Sequence, residues 1–179
     1  MTLPNVLTLF RLLMVPLVAA LYWVGQRYFA LALFLLAGIT DMLDGYIARR
    51  TNKITDLGKV MDPLADKLLV LATLVCFYFV DQSIPLWLLI TLFVKETLMV
   101  LGGVFLYKWR NFAVSSRYYG KISAALLFLG ITLTFLREYT WPYCLYTLYA
   151  ALALSLLSMV PYAKNNLISR LKKTNTGGE

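Results

Sequence analysis

Apolar residues along this chain run in six long stretches broken by short polar segments. The first covers residues 5–24 and is entered through Pro4-Asn5. The second runs from about Phe29 to Ile47. The third runs from about Val60 to Phe79, with Pro63 in its first turns, where proline is tolerated. The fourth extends from Pro85 to Tyr107, the fifth from about Ile122 to Leu136, and the sixth from Trp141 to about Tyr162, with Pro161 near its end. A helix of roughly 20 residues crosses the hydrocarbon core of a bilayer. The pattern therefore predicts an all-α integral membrane protein, a six-helix transmembrane bundle over residues 1–163, with a basic, disordered tail over 164–179. Arg11 lies within the first stretch and no small-residue cleavage site follows it, so that stretch is expected to stay on the mature protein.

Composition agrees with the pattern. The 179 residues are 60% hydrophobic, against about 45–50% in soluble domains. The net charge of +8 does not point to nucleic acid, because the basic residues sit in short loops between apolar stretches. There they set topology, meet anionic headgroups or bind an anionic substrate. Arg49, Arg50, Lys53 and Lys59 follow the second stretch; Lys108, Arg110, Arg117 and Lys121 follow the fourth; Lys164, Arg170, Lys172 and Lys173 follow the sixth. The opposite loops hold Arg27 and Arg137. The positive-inside rule then places both termini and the basic loops in the cytoplasm of a multi-pass inner-membrane protein. Tyr22, Trp23, Trp87, Tyr107, Trp109 and Trp141, near the ends of the stretches, fit interfacial belts. Cys76 and Cys144 lie within apolar runs and read as packing residues. The absence of histidine removes imidazole acid–base chemistry and His–metal sites.

Against this background four aspartates stand out: Asp41 and Asp44 at the end of the second stretch, Asp62 and Asp66 at the start of the third. A carboxylate beside lipid is costly unless something pairs with it, so the group implies a cation. Asp41 and Asp44 are i,i+3 and Asp62 and Asp66 are i,i+4, so each pair shares a helix face. Two such faces brought together make an all-oxygen cage suited to hard divalent ions. Gly45 directly after Asp44, and the small Ala48 beyond it, leave room for a ligand or a second helix. Gly58 opens the third stretch, where a helix N-terminus favours phosphate oxygens. A polar cavity there faces the cytosol and borders lipid, a place suited to joining a water-soluble reactant to a lipid.

The run Asp41, Asp44, Gly45, Ala48, Arg49, Gly58, Asp62, Asp66 fits D-x2-D-G-x2-A-R-x8-G-x3-D-x3-D without gap or substitution. This resembles the signature of the CDP-alcohol phosphotransferases. The resemblance implies an enzyme that takes CDP-diacylglycerol, displaces CMP and moves the phosphatidyl group to an alcohol. It also implies six transmembrane helices, a homodimer, and two divalent ions, Mg²⁺ or Mn²⁺. Carried over by motif position, Asp41, Asp44, Asp62 and Asp66 are metal ligands, and Asp66 is also the general base. Asp44, Gly45, Ala48, Arg49 and Gly58 line the cytidine-diphosphate site.

The opening Pro4-Asn5-Val-Leu-Thr8-Leu-Phe-Arg11, the Asp62-Pro63-Leu-Ala-Asp66-Lys67 run and Gly120-Lys121 are similar to bacterial phosphatidylglycerophosphate synthases, whose acceptor is sn-glycerol 3-phosphate. An acceptor phosphate needs cations of its own, and Arg110, Arg117, Lys121 and Lys95 are the candidates. The chain departs from that pattern in places. It has Lys95-Glu96 where Arg-Glu is usual, Gly102-Gly103 near the usual position of a further arginine, and Ile122-Ser123 after Gly120-Lys121. Thr40 to Arg49 also resembles the opening of the cardiolipin synthase signature, whose acceptor is phosphatidylglycerol. An ion-coupled transporter would also use intramembrane carboxylates, but it gives no reason for Gly45, Ala48 and Arg49.

Overall fold

The structure, a computed structural model, describes the backbone of residues 3–51, 56–110 and 118–158, and side chains at 9–41, 64–99 and 120–158. The described chain is all helical: α1 (Leu3–Trp23), α2 (Arg27–Thr51), α3 (Asp56–Phe79), α4 (Leu86–Arg110), α5 (Tyr118–Phe135), α6 (Arg137–Thr140) and α7, whose described part covers 143–158. Seven helices are thus described rather than six, because the four-residue α6 intervenes before the last apolar stretch. The helices also outrun the apolar stretches. α2 continues to Thr51 and α3 starts at Asp56, which puts Pro63 beyond the first turn. Hydropathy marks where an apolar surface ends, whereas backbone hydrogen bonding continues through good helix formers such as Arg49, Arg50 and Lys59.

α1 packs against both α2 and α3, α3 also meets α4, and α5 rests on α2 and α3. Aromatic rings fill the space between them. Tyr22, Phe77 and Phe135 meet edge to face at centroid separations of 5.0–5.5 Å, and Phe34 stacks on Phe128 at 4.9 Å. Such pairs contribute roughly 0.5–1.5 kcal/mol each beyond the area they bury. Two glycines permit the closest approaches. A Cβ at Gly38 would lie 2.5 Å from the Phe128 ring, and one at Gly130 would lie 2.7 Å from Leu148. Both buried cysteines are free, as packing residues should be.

α1 ends in a reversal at Gly25, whose φ of +82° suits glycine. The Gln26 amide donates to the Leu21 carbonyl at 2.8 Å and the Gly25 amide to Tyr22 at 3.1 Å, closing a Schellman motif. Beside this turn, charges converge from three loops. The Tyr22 hydroxyl donates to the Asp81 carboxylate. Arg27 donates to Asp81 at 2.9 Å and to Glu138 at 3.1 Å. Arg137 donates to the Asp81 carbonyl at 3.0 Å and to the Ser83 hydroxyl at 2.7 Å. The two lone basic residues of the opposite loops therefore meet at one end of the bundle.

Among the described residues no helix is long and apolar enough to cross a membrane; on α2 and α3 the described side chains cover 27–41 and 64–79 of longer helices. The outside of the bundle is nonetheless apolar, with Leu13, Leu17, Phe29, Ile90, Phe93, Leu98 and Leu157 all exposed.

Candidate active site

Asp41 lies about 21 Å along α2 from Arg27, at 1.5 Å per residue. Opposite it, α1 presents Arg11, which is 1% exposed and ion-paired to the half-exposed Asp41 carboxylate. A buried guanidinium is costly unless an acid meets it, and this contact helps fix α1 against α2. Across the junction, α3 supplies the half-buried Asp66, which lies within the fields of Asp41, Lys67, Arg11 and Glu96. Asp41 and Asp66, one from each end of the motif, thus lie within electrostatic range of each other and of Arg11. Asp44, Gly45, Ala48 and Arg49 follow on α2, and Gly58 and Asp62 precede Asp66 on α3; the side chains of these six lie outside the described residues.

α4 adds a second charged group. Glu96 is 1% exposed and binds two ammonium groups, Lys95 at 2.5 Å and Lys67 at 2.5 Å. The mid-helix Lys95 is therefore paired, and it also lines a small polar cavity. That cavity, about 50 Å³ between α3, α4, α5 and α7, is walled by Lys67, Lys95, Glu96, Gly120, Ser123 and Ser155 among others. Its volume leaves room for a water or two. Ser123 donates to the Gly120 carbonyl at 3.0 Å and Ser155 to Leu152 at 2.9 Å. Their hydroxyl hydrogens are thus engaged with backbone, and the lysines are left as the cavity's charged donors. Lys121 is exposed, next to the cavity-lining Gly120. Arg110 and Arg117 fall outside the residues whose side chains are described.

Asp41 and Asp66 offer only oxygen and converge from two helices, the donor chemistry a hard divalent cation takes. Among the described residues no three potential ligands come together, since Asp44 and Asp62 are not among those with described side chains.

Sequence reasoning did not assign Arg11 or Lys67 a role in the site. A signal existed for Arg11: an arginine inside an apolar run requires an acid nearby. Which acid it meets depends on how the helices pack.

The CDP-alcohol phosphatidyltransferase family profile matches residues 1–159. A CDP-diacylglycerol–glycerol-3-phosphate 3-phosphatidyltransferase of Aquifex aeolicus is 35% identical over 139 residues, 73% of this chain and 76% of that protein. One of the same name from Haemophilus influenzae is 29% identical over 182 residues, 94% of this chain and 97% of that protein. A CMP-forming cardiolipin synthase of Streptomyces coelicolor is 35% identical over 152 residues, 79% of this chain and 64% of that protein.

Proposed function

This chain belongs to the CDP-alcohol phosphatidyltransferase family, and from that premise we propose that it transfers the phosphatidyl group of CDP-diacylglycerol to sn-glycerol 3-phosphate, giving phosphatidylglycerophosphate and CMP. The observation that carries the reading is the convergence of Asp41 and Asp66, from opposite ends of the eight-position motif, at the junction of α1, α2 and α3. The two carboxylates repel; Arg11 and Lys67 offset part of that repulsion, and a bound divalent cation would offset more. Relatives whose names specify glycerol 3-phosphate as acceptor, one matched across 94% of this chain, support that alcohol.

Asp41, Asp44, Asp62 and Asp66 would hold two divalent ions, Mg²⁺ or Mn²⁺. When bound, these neutralise the pyrophosphate and polarise the phosphorus under attack. Asp44, Gly45, Ala48, Arg49 and Gly58 receive the cytidine diphosphate; glycine and alanine let it approach the backbone, and the arginine pairs with its charge. Asp66 takes the proton of the attacking hydroxyl. Lys95, Lys121, Arg110 and Arg117 draw in the acceptor's phosphate. The described members of that set, Lys95 and Lys121, sit at and beside the α4–α5 cavity. The protein works as a homodimer spanning the cytoplasmic membrane six times, with the site facing the cytoplasm and the apolar exterior of the bundle against lipid. In support, the loops bearing Arg27 and Arg137 gather at one end, while the strongly basic loops follow α2 and α4.

A second reading, cardiolipin synthesis with phosphatidylglycerol as acceptor, is favoured by the Gly102-Gly103 departure and by the Streptomyces relative. CMP release by purified protein with CDP-diacylglycerol and Mg²⁺ separates the two. Release driven by glycerol 3-phosphate and stopped by chelator is expected. Release driven only by phosphatidylglycerol would replace this reading with the second.

A further inference from the structure

Glu96 belongs to no part of the motif, yet it is among the most deeply buried charged groups described. Its carboxylate lies between two ammonium groups on different helices. One oxygen meets Lys95, its neighbour on α4, and the other meets Lys67 on α3. Lys67 directly follows Asp66 in sequence, and its charge acts on the Asp66 carboxylate. A lysine is a compact charge on a flexible four-carbon stem, so one placed here has two possible partners. Turned toward α4 it meets Glu96, as observed; turned back, it would move toward the Asp66 carboxylate, on which its charge already acts. In the second position it would occupy the carboxylate oxygens that a divalent ion needs.

We propose that Glu96 is a positioning residue that holds the Lys67 ammonium on the α4 side and so keeps the aspartate cage open for its metal ions. The inference rests on the metal-binding reading of the aspartates given above. It explains why an acid is buried at this position on α4, and why a basic residue can directly follow the proposed base without closing the site. Lys95 completes the arrangement from its own helix. It shares the Glu96 carboxylate and leaves the trio with one net positive charge facing the α4–α5 cavity.

The test is Mn²⁺ binding by the detergent-purified protein, read as loss of the free-ion signal in electron paramagnetic resonance and checked by displacement with Mg²⁺. Wild type should bind Mn²⁺. Glu96→Gln should bind it about tenfold more weakly, the low end of what losing a supporting residue costs a metal site. Lys67→Met/Glu96→Gln should return to within about threefold of wild type, because the lysine that was released is gone. A merely structural Glu96 would weaken the double variant as much as the single one, and that result would overturn the proposal, as would unchanged binding by Glu96→Gln. If Glu96→Gln does not fold, Lys67→Met and Lys67→Met/Glu96→Gln are compared instead. Equal affinities are expected, and a tenfold gap between them would show that Glu96 acts other than through Lys67. Failure of wild type to bind Mn²⁺ at all would overturn the metal-site reading, and this inference with it.

Discussion

Charged side chains gather at two places in this bundle, and the two gatherings are built differently. At the end formed by the α1–α2 turn and α6, Arg27 and Arg137 face Asp81 and Glu138. Each cation donates to oxygens 2.7–3.1 Å away, and Tyr22 adds a hydroxyl to Asp81. Attraction alone assembles that cluster, and it joins three loops. Around the middle of α1 to α4, Arg11 pairs with Asp41, and Lys67 and Lys95 pair with Glu96, but here two carboxylates, Asp41 and Asp66, also lie within each other's electrostatic range. Folding gains nothing from such a repulsion. Arg11 and Lys67 offset part of it, and a ligand cation would offset more. The motif places Asp44 and Asp62 on the same two helices, which increases the demand for a cation. The first cluster holds the fold together, and the second surrounds the proposed site.

The comparison can be broken by substitutions whose effects should fall on different observables. Asp81→Asn removes the carboxylate charge that Tyr22 and Arg27 share, in a side chain only 6% exposed. It should lower unfolding stability by about 2–3 kcal/mol while the turnover of folded protein stays near wild type. A large loss of turnover with stability intact would erase the distinction between the clusters. Lys121→Ala should raise the KM for glycerol 3-phosphate about tenfold and leave the KM for CDP-diacylglycerol within about twofold. An equal rise in both, measured by CMP release, would make Lys121 a topology or general phosphate residue. Glu138→Gln, at an exposed ion pair, should cost under about 1 kcal/mol and leave both kinetic constants alone. A stability loss comparable to that of Asp81→Asn would mean that the outer network is tighter than its exposure implies.

Much of the architecture was legible in the hydropathy pattern, because burial and helical length leave a direct trace in sequence. The stretches 5–24 and 85–107 correspond closely to α1 and α4. The ends were less legible: Arg49, Arg50, Thr51, Asp56 and Lys59 are polar yet helical, and hydropathy does not register backbone hydrogen bonds. The four-residue α6 is too short to leave a periodic signal. For the site, the spacing set Asp41, Asp44, Asp62 and Asp66 apart, and of these only Asp41 and Asp66 have described side chains. The pairing of Arg11 with Asp41, and the sharing of Glu96 by Lys67 and Lys95, depend on how α1, α3 and α4 pack. No pattern within a single helix encodes that. The close approaches at Gly38 and Gly130 were hidden for the same reason: a glycine reveals a contact only when the facing side chain, Phe128 or Leu148, is known.

The most direct test of the account is turnover of Asp66→Asn. The substitution keeps the shape of the side chain and removes both the proposed base and a metal-binding oxygen. CMP release from CDP-diacylglycerol with saturating Mg²⁺ and glycerol 3-phosphate should fall by at least about a hundredfold, while the variant purifies and unfolds like wild type. Near-normal release by a folded Asp66→Asn would contradict the account, because the charges in the middle of the bundle would then be structural like those at its end.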